Sequence, residues 1–218
     1  MNKKCSNCHL VNFSDAASCA RCRADLIETV NIENVQGMSG SGLVVRAFVC
    51  MCVCVAVILG FYLSLIGTAK SLTLDEKSTV LNAIGLVREK GFAREAMLLG
   101  NFTVFRSNDN WLNASVAKES AYAATNFPFE IITLYSDFFT YPVDDTERAA
   151  VLLHEAQHLA GKNEHDAYEF VWKNRKQLGW TKAKYAASPV WQNVRKQTKD
   201  NVPELFVCDH NEFRDCTE

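Results

Sequence analysis

The sequence predicts an α+β protein in three parts: a small cysteine-based module, a single membrane helix, and a C-terminal domain of helices with a short sheet. Three observations predict it. Cys5-x2-Cys8 and Cys19-x2-Cys22 form two paired knuckles near the N-terminus. The run from Ala47 to Ala69 contains no charged residue. Beyond it, apolar residues at helical spacing are interrupted by two short alternating stretches.

Residues 1–27 make the first part. Each knuckle offers two thiolates from a tight turn, so Cys5, Cys8, Cys19 and Cys22 can close a tetrahedral zinc site with no open position. A redox dithiol is the competing reading, and the pairing of two knuckles favours metal. The segment resembles the small zinc ribbons at the N-termini of many bacterial membrane proteins. Asn12 also matches a feature of Ran-binding-protein-type zinc fingers, some of which bind RNA or ubiquitin. Those carry a Trp before the first Cys, where Lys3 and Lys4 stand here. The net charge of −2 gives no bulk attraction to nucleic acid. Few basic and aromatic residues surround the knuckles, which argues against a nucleic-acid partner. A cytoplasmic protein partner of the ribbon is the alternative.

Residues 28–46 read as a flexible linker, with Gly37-Met38-Ser39-Gly40-Ser41-Gly42 at its centre. Residues 47–69 read as the membrane helix, since about 20 apolar residues cross the hydrocarbon core. Arg46 can snorkel at its near edge. Cys50, Cys52 and Cys54 act there as small apolar residues. The nearby Lys70, Lys77 and Arg88 do not favour an inside N-terminus by charge. Cysteine chemistry does: zinc thiolates need a reducing compartment, while Cys208 and Cys216 read as a disulfide. The expected setting is therefore a single-pass protein of a bacterial inner membrane. Its ribbon is cytoplasmic and residues 70–218 lie outside the cytoplasm.

Within 70–218, residues 73–99 predict a helix or helix pair broken at Gly91. Residues 101–106 predict a strand, 107–110 a turn and 129–135 a second strand. Asp144-Asp145-Thr146-Glu147 has the form of a capping box. It opens a helix whose apolar stripe is Ala149, Ala150, Leu152, Leu153, Ala156 and Leu159. Helices at 164 to about 177 and near 189–197 follow.

The capped helix carries His154-Glu155-Ala156-Gln157-His158, followed by Gly161 and Glu164. Residues four apart share a helix face, so His154 and His158 can present two imidazoles to one metal. Glu155 is placed to take a proton from a metal-bound water. Gly161 permits a sharp turn, and Glu164 returns as a third ligand. Two His, one carboxylate and a water make a catalytic zinc site. His165, Asp166 and Glu169 are nearby alternatives to Glu164. Tyr168 shares a face with Glu164 and can donate to a developing oxyanion; it reads equally as a core aromatic.

The HExxHxxGxxE segment resembles the active-site helix of the zincin metallopeptidases. Metzincin-like enzymes place a third ligand where Glu164 falls, but no Met follows the motif here to make their Met-containing turn. Gluzincin-like enzymes take a Glu from a second helix, a pattern similar to Glu164-His165-Asp166-Ala167-Tyr168, across a longer loop than this one. The resemblance implies a minimal zincin-like domain and a membrane-anchored zinc peptidase. Its Glu155 would be the general base and Tyr168 an oxyanion donor. The zinc ligands would be His154, His158 and Glu164, and a peptide or protein the substrate. It also implies edge-strand pairing of an extended substrate. The competing expectation is a non-catalytic membrane sensor or scaffold. In that case Trp172 or Trp180 would plug the face that an enzyme keeps open.

Overall fold

The computed structural model describes residues 2–26, 40–112, 114 and 122–207. Most of the expected linker, and Cys208 and Cys216 with their expected disulfide, lie outside the described residues. The chain divides into two compact units, Met1–Ala56 and Val57–Glu218.

In the first unit, β1 (Lys3–Lys4) pairs antiparallel with β2 (Val11–Asn12). Each CxxC knuckle closes in the same way. The amide of His9 donates to the Cys5 carbonyl at 3.0 Å, and that of Arg23 to the Cys19 carbonyl at 2.9 Å. His9 and Arg23 take left-handed backbone, φ 59° and 55°, which reverses the chain right after each pair. Among the described residues, Cys5, Cys19 and Leu26 are the buried core here, with Cys8, Leu10, Ala16, Cys22 and Ala24 packed partly buried against them. That is too little apolar area to hold a fold, so a ribbon of this size depends on its thiol cluster.

Helix α1 spans Gly40–Thr68 and crosses from the first unit into the second. Gly42–Thr68 is long and apolar enough to cross a membrane. It extends the expected span by five residues at its N-terminal end and stops one short of Ala69.

The second unit is helical with a small sheet. Thr73 and Glu76 form a full capping box at the start of α2 (Leu74–Glu89). Gly91, at φ 92°, separates α2 from α3 (Ala93–Met97), so the expected helix break falls where the sequence placed it. The expected strand 101–106 is shorter. A π-type turn over Leu98–Phe102, with the Thr103 hydroxyl donating to the Leu98 carbonyl at 2.9 Å, leaves only Val104–Arg106 as β3. The second expected strand is confined to Ile131–Leu134, here β5. The third, β4 (Ala123–Asn126), was not foreseen, because Ala-Ala-Thr-Asn lacks the β-branched alternation that marks strands.

The sheet order is β3-β5-β4. β5 runs parallel to β3, with Val104 opposite Ile131, and antiparallel to β4, with Asn126 opposite Ile131. All four residues of β5 are buried. After the short α4 (Ser136–Thr140) comes α5 (Asp145–Leu159), which carries the motif. Asp144 caps α5 as expected, accepting from the amides of Thr146 and Glu147. Glu147 does not complete the box. Its fully buried carboxylate accepts from the Val143 amide, Ser188 Oγ and Trp180 Nε1 instead. It therefore ties the start of α5 to the chain around residues 180 and 188.

Helix α6 (Glu164–Leu178) begins at the Asn163 cap and ends at Gly179 in left-handed backbone. A short α7 (Lys182–Tyr185) precedes α8 (Pro189–Asn201), which is longer than the expected 189–197. α5 lies between α2 and α6. Val80, Ile84 and Val87 from α2 join Leu152, Leu153 and Ala156 from α5 in one core. Each fully buried Leu there contributes roughly 1.5–3 kcal/mol. Trp172, Trp180 and Trp191 stack at the far side, with centroids 4.9–6.0 Å apart.

Candidate metal centre

The two histidines lie four residues apart on α5, and their rings meet edge to face with centroids 4.8 Å apart. α5 stops at Ala160. Gly161, at φ 77°, turns the chain, and α6 starts at Glu164. That turn brings the Glu164 carboxylate back over the imidazoles. Its oxygens stand 3.2 Å from His154 Nε2 and 3.3 Å from His158 Nε2, and the two Nε2 atoms are 3.1 Å apart. Tetrahedral zinc with bonds of about 2.0–2.1 Å separates its ligands by about 3.3 Å. The two imidazole nitrogens and the Glu164 carboxylate, which His154 meets at Oε2 and His158 at Oε1, are thus spaced as the ligands of such a site would be. The side chain of Glu164 is 61 % exposed, while those of His154 and His158 are 14 % and 18 % exposed, so the group is open on its Glu164 side.

The tautomer of His158 follows from its surroundings. Its Nδ1 lies 2.9 Å from the Lys162 carbonyl, which can only accept. In the neutral ring Nδ1–H therefore donates there, and the Nε2 lone pair points at the triangle. His154 Nδ1 is buried without a partner among the described residues. Electrostatics show the same convergence. Burial alone would lower the His158 pKa, but Glu164 and the Lys162 carbonyl outweigh it and hold it up to about 9. Hydrogen bonds from His154 and His158 keep Glu164 well below the usual carboxylate range, against its burial. Three groups held this close favour a cation at their centre.

Glu155 is buried, 5 % exposed, and turns toward β4, where Thr125 Oγ1 donates to its Oε2 at 2.6 Å. Nothing in the local pattern pointed to Thr125, because β4 itself was not legible. Tyr168 lies one turn after Glu164, and its ring packs against His154 at 4.3 Å between centroids. Burial first, then the Glu164 and Glu155 carboxylates, push its phenol pKa upward, so it remains a donor.

Among the alternative ligands, His165 turns away: its Nε2 meets Glu204 at 2.8 Å, in the short 3-10 turn Pro203–Leu205. His165, Asp166 and Glu169 make a separate exposed group that does not include the motif histidines. Trp172 and Trp180 do not plug the site. Both are fully buried, and Trp180 Nε1 donates to Glu147, two turns before His154.

The four N-terminal cysteines also converge, with all sulfurs within 4.8 Å of one another. Cys5 and Cys22 are 3.5 Å apart, and Cys8 and Cys19 3.4 Å. Asn12 braces the cluster. Its amide nitrogen approaches Cys19 Sγ at 3.7 Å, while its Oδ1 accepts from the Ala20 amide. The Cys22 amide leads the interactions that hold the Cys19 thiol down to about 6, which favours a metal-ligating thiolate. The group is shaped to hold a metal with no open position.

Comparison with protein-family models, curated proteins and solved structures finds no match to the chain, so the chemistry rests on these residues alone.

Proposed function

We propose that this chain is a membrane-anchored zinc-dependent peptidase with a structural zinc ribbon at its N-terminus. The observation that carries the reading is the triangle of His154, His158 and Glu164, closed to 3.1–3.3 Å with an exposed side. Zinc held there supplies an acidified water and a Lewis acid for a peptide carbonyl. Glu155 accepts a proton at its carboxylate and returns it to the leaving amine. Thr125 orients that carboxylate from β4. Tyr168, fixed against His154, donates its hydroxyl to the carbonyl oxygen.

β4 supplies the surface for an extended substrate. It is an edge strand of the sheet, next to α5, and β5 is central. Of the two strands the sequence offered for this role, β5 has no open edge, and β3 lies at the other side of the sheet. A peptide adding to β4 would lie beside Glu155. Cys5, Cys8, Cys19 and Cys22 hold the second zinc. Their need for a reducing compartment supports a cytoplasmic N-terminus, with the peptidase domain on the other side of a bacterial inner membrane.

The deciding experiment compares wild-type full-length protein with Glu155→Gln in proteoliposomes, supplied with a mixed peptide library. Hydrolysis should fall by about 100-fold or more, while both zincs stay bound. Equal hydrolysis by the two proteins would refute the role of Glu155.

A further inference from the structure

Helix α1 is longer than a bilayer needs. About 20 residues cross the hydrocarbon core. Counted from Gly42 they end at Phe61, and counted from Ala47 at Ile66. The first count puts the stretch from Phe61 to Thr68 at the lipid–water boundary; the second puts that boundary at Ile66, five residues further along the same stretch. This stretch does not stand alone. Phe61 packs on Trp111 at 5.5 Å and on Phe129 at 5.2 Å, and Tyr62 stacks on Phe129 at 6.4 Å. Trp111 Nε1 donates to Ser64 Oγ at 3.1 Å, and Leu65 is fully buried.

The sheet register shows which end of the domain this is. Val104, Asn126 and Ile131 are aligned across the three strands. Phe102 precedes β3, Phe127 follows β4 and Phe129 precedes β5, so all three gather at one end. Phe102 and Phe127 are each 59 % exposed, and Trp111 is 47 % exposed. At the opposite end Arg106 meets Ser71 and the Lys70 amide bonds to Asn108. α1 therefore enters the domain from its aromatic end and leaves it at the end where Arg106 lies.

We infer that Phe102, Trp111 and Phe127 form a lipid-docking surface that seats this end of the domain in the bilayer interface. Aromatic side chains are favoured at that depth, where an apolar ring and a polar edge are both satisfied. Three large rings left open beside the emerging helix have lipid as their nearest partner. A consequence follows for the metal centre. A Cβ placed on Gly161 would lie 3.9 Å from the Phe127 ring, and Gly161 joins His158 to Glu164. The turn that closes the triangle is thus next to the docking surface. On the peptidase reading, the site takes polypeptide segments that lie at the membrane surface.

The test uses full-length protein in phosphatidylcholine vesicles, with or without bromine on the acyl chains near the headgroups. Trp172, Trp180 and Trp191 are buried and give a constant background. The emission that separates wild type from Trp111→Phe reports on Trp111. The emission added by Phe127→Trp in the Trp111→Phe protein reports on position 127. Both should drop by about half in brominated lipid if the rings sit at the interface. Equal emission in the two lipids from vesicle-bound protein overturns the surface. Recovery of the protein in the aqueous phase overturns it one step earlier, by removing the membrane span on which it rests. Neither reading depends on hydrolysis, so failure of the peptidase proposal is seen separately.

Discussion

Thr125 on β4 donates its hydroxyl to the buried Glu155 carboxylate at 2.6 Å, and so couples the edge strand of the sheet to the motif helix. Thr125→Val keeps the shape and removes the donor. The loss should cost roughly 1.5–3 kcal/mol, the range for a hydrogen bond to a charged group. Chemical denaturation of the full-length protein checks the stability. Steady-state hydrolysis should show a reduced kcat with KM little changed, and rescue by Thr125→Ser. A Thr125→Val protein with wild-type stability and rate would remove Thr125 from the site.

Metal content separates the two centres. Wild-type protein should carry two zincs, and His154→Ala or Glu164→Ala should carry one. Cys5→Ser with Cys8→Ser should also lose one, leaving the triangle filled. His165→Ala should keep both, since its ring is engaged with Glu204. Elemental analysis of purified protein reads all of these. Loss of zinc on His165→Ala, with none lost on Glu164→Ala, would reassign the third ligand.

Tyr168→Phe keeps the ring that packs on His154 and removes only the hydroxyl. If that hydroxyl stabilises the oxyanion, kcat should fall about 100-fold, the usual cost of one such donor. Zinc content and thermal stability should not move. An unchanged kcat would leave Tyr168 as a packing residue.

Asp144 caps α5 and is held by Lys184 and Tyr185, each at 2.8 Å. Burial pushes its pKa up, and those two bonds, with the Glu147 amide and the Lys184 charge, more than reverse this, so the net shift is downward. A carboxylate with a depressed folded pKa stabilises the fold above its unfolded value, near 3.8, and loses that contribution as pH falls through the folded value. Asp144→Asn, which still caps, should lower stability at neutral pH and flatten the acid limb of the stability curve below about pH 4. Thermal melts across pH 2–7 check this (about 1 kcal/mol is the typical worth of a cap). A variant with the same acid limb as wild type would contradict it.

Glu147 is a sharper case, because its carboxylate satisfies three donors inside the core. Glu147→Ala leaves Ser188, Trp180 and the Val143 amide unpaired, at roughly 1–3 kcal/mol for each buried group. Little folded protein is expected from it. Glu147→Gln should fold but melt earlier, as measured by circular dichroism. A stable Glu147→Ala would show that water replaces the carboxylate.

What the sequence determined by itself was what local rules fix. Paired CxxC knuckles, a charge-free apolar run, the Asp144 cap and the four-residue step from His154 to His158 each act within a few residues, where spacing dictates geometry. The choice of Glu164 was also legible, as Gly161 leaves room for only a short turn. Tertiary structure decided everything that depends on distant pairing. β4 has weak strand propensity and exists because β5 offers it a partner, so neither it nor Thr125 could be read in advance. Glu147 carries the local signature of a capping box, yet Trp180 and Ser188 compete for it from more than thirty residues away and win. His165 stood as a local alternative to Glu164, and its contact with Glu204, 39 residues away, could not be read from spacing. Strand register brings Phe102 and Phe127 to one end of the sheet, and Trp111 joins them through its contacts with Phe61 and Ser64 of α1, so none of this could be read from local sequence.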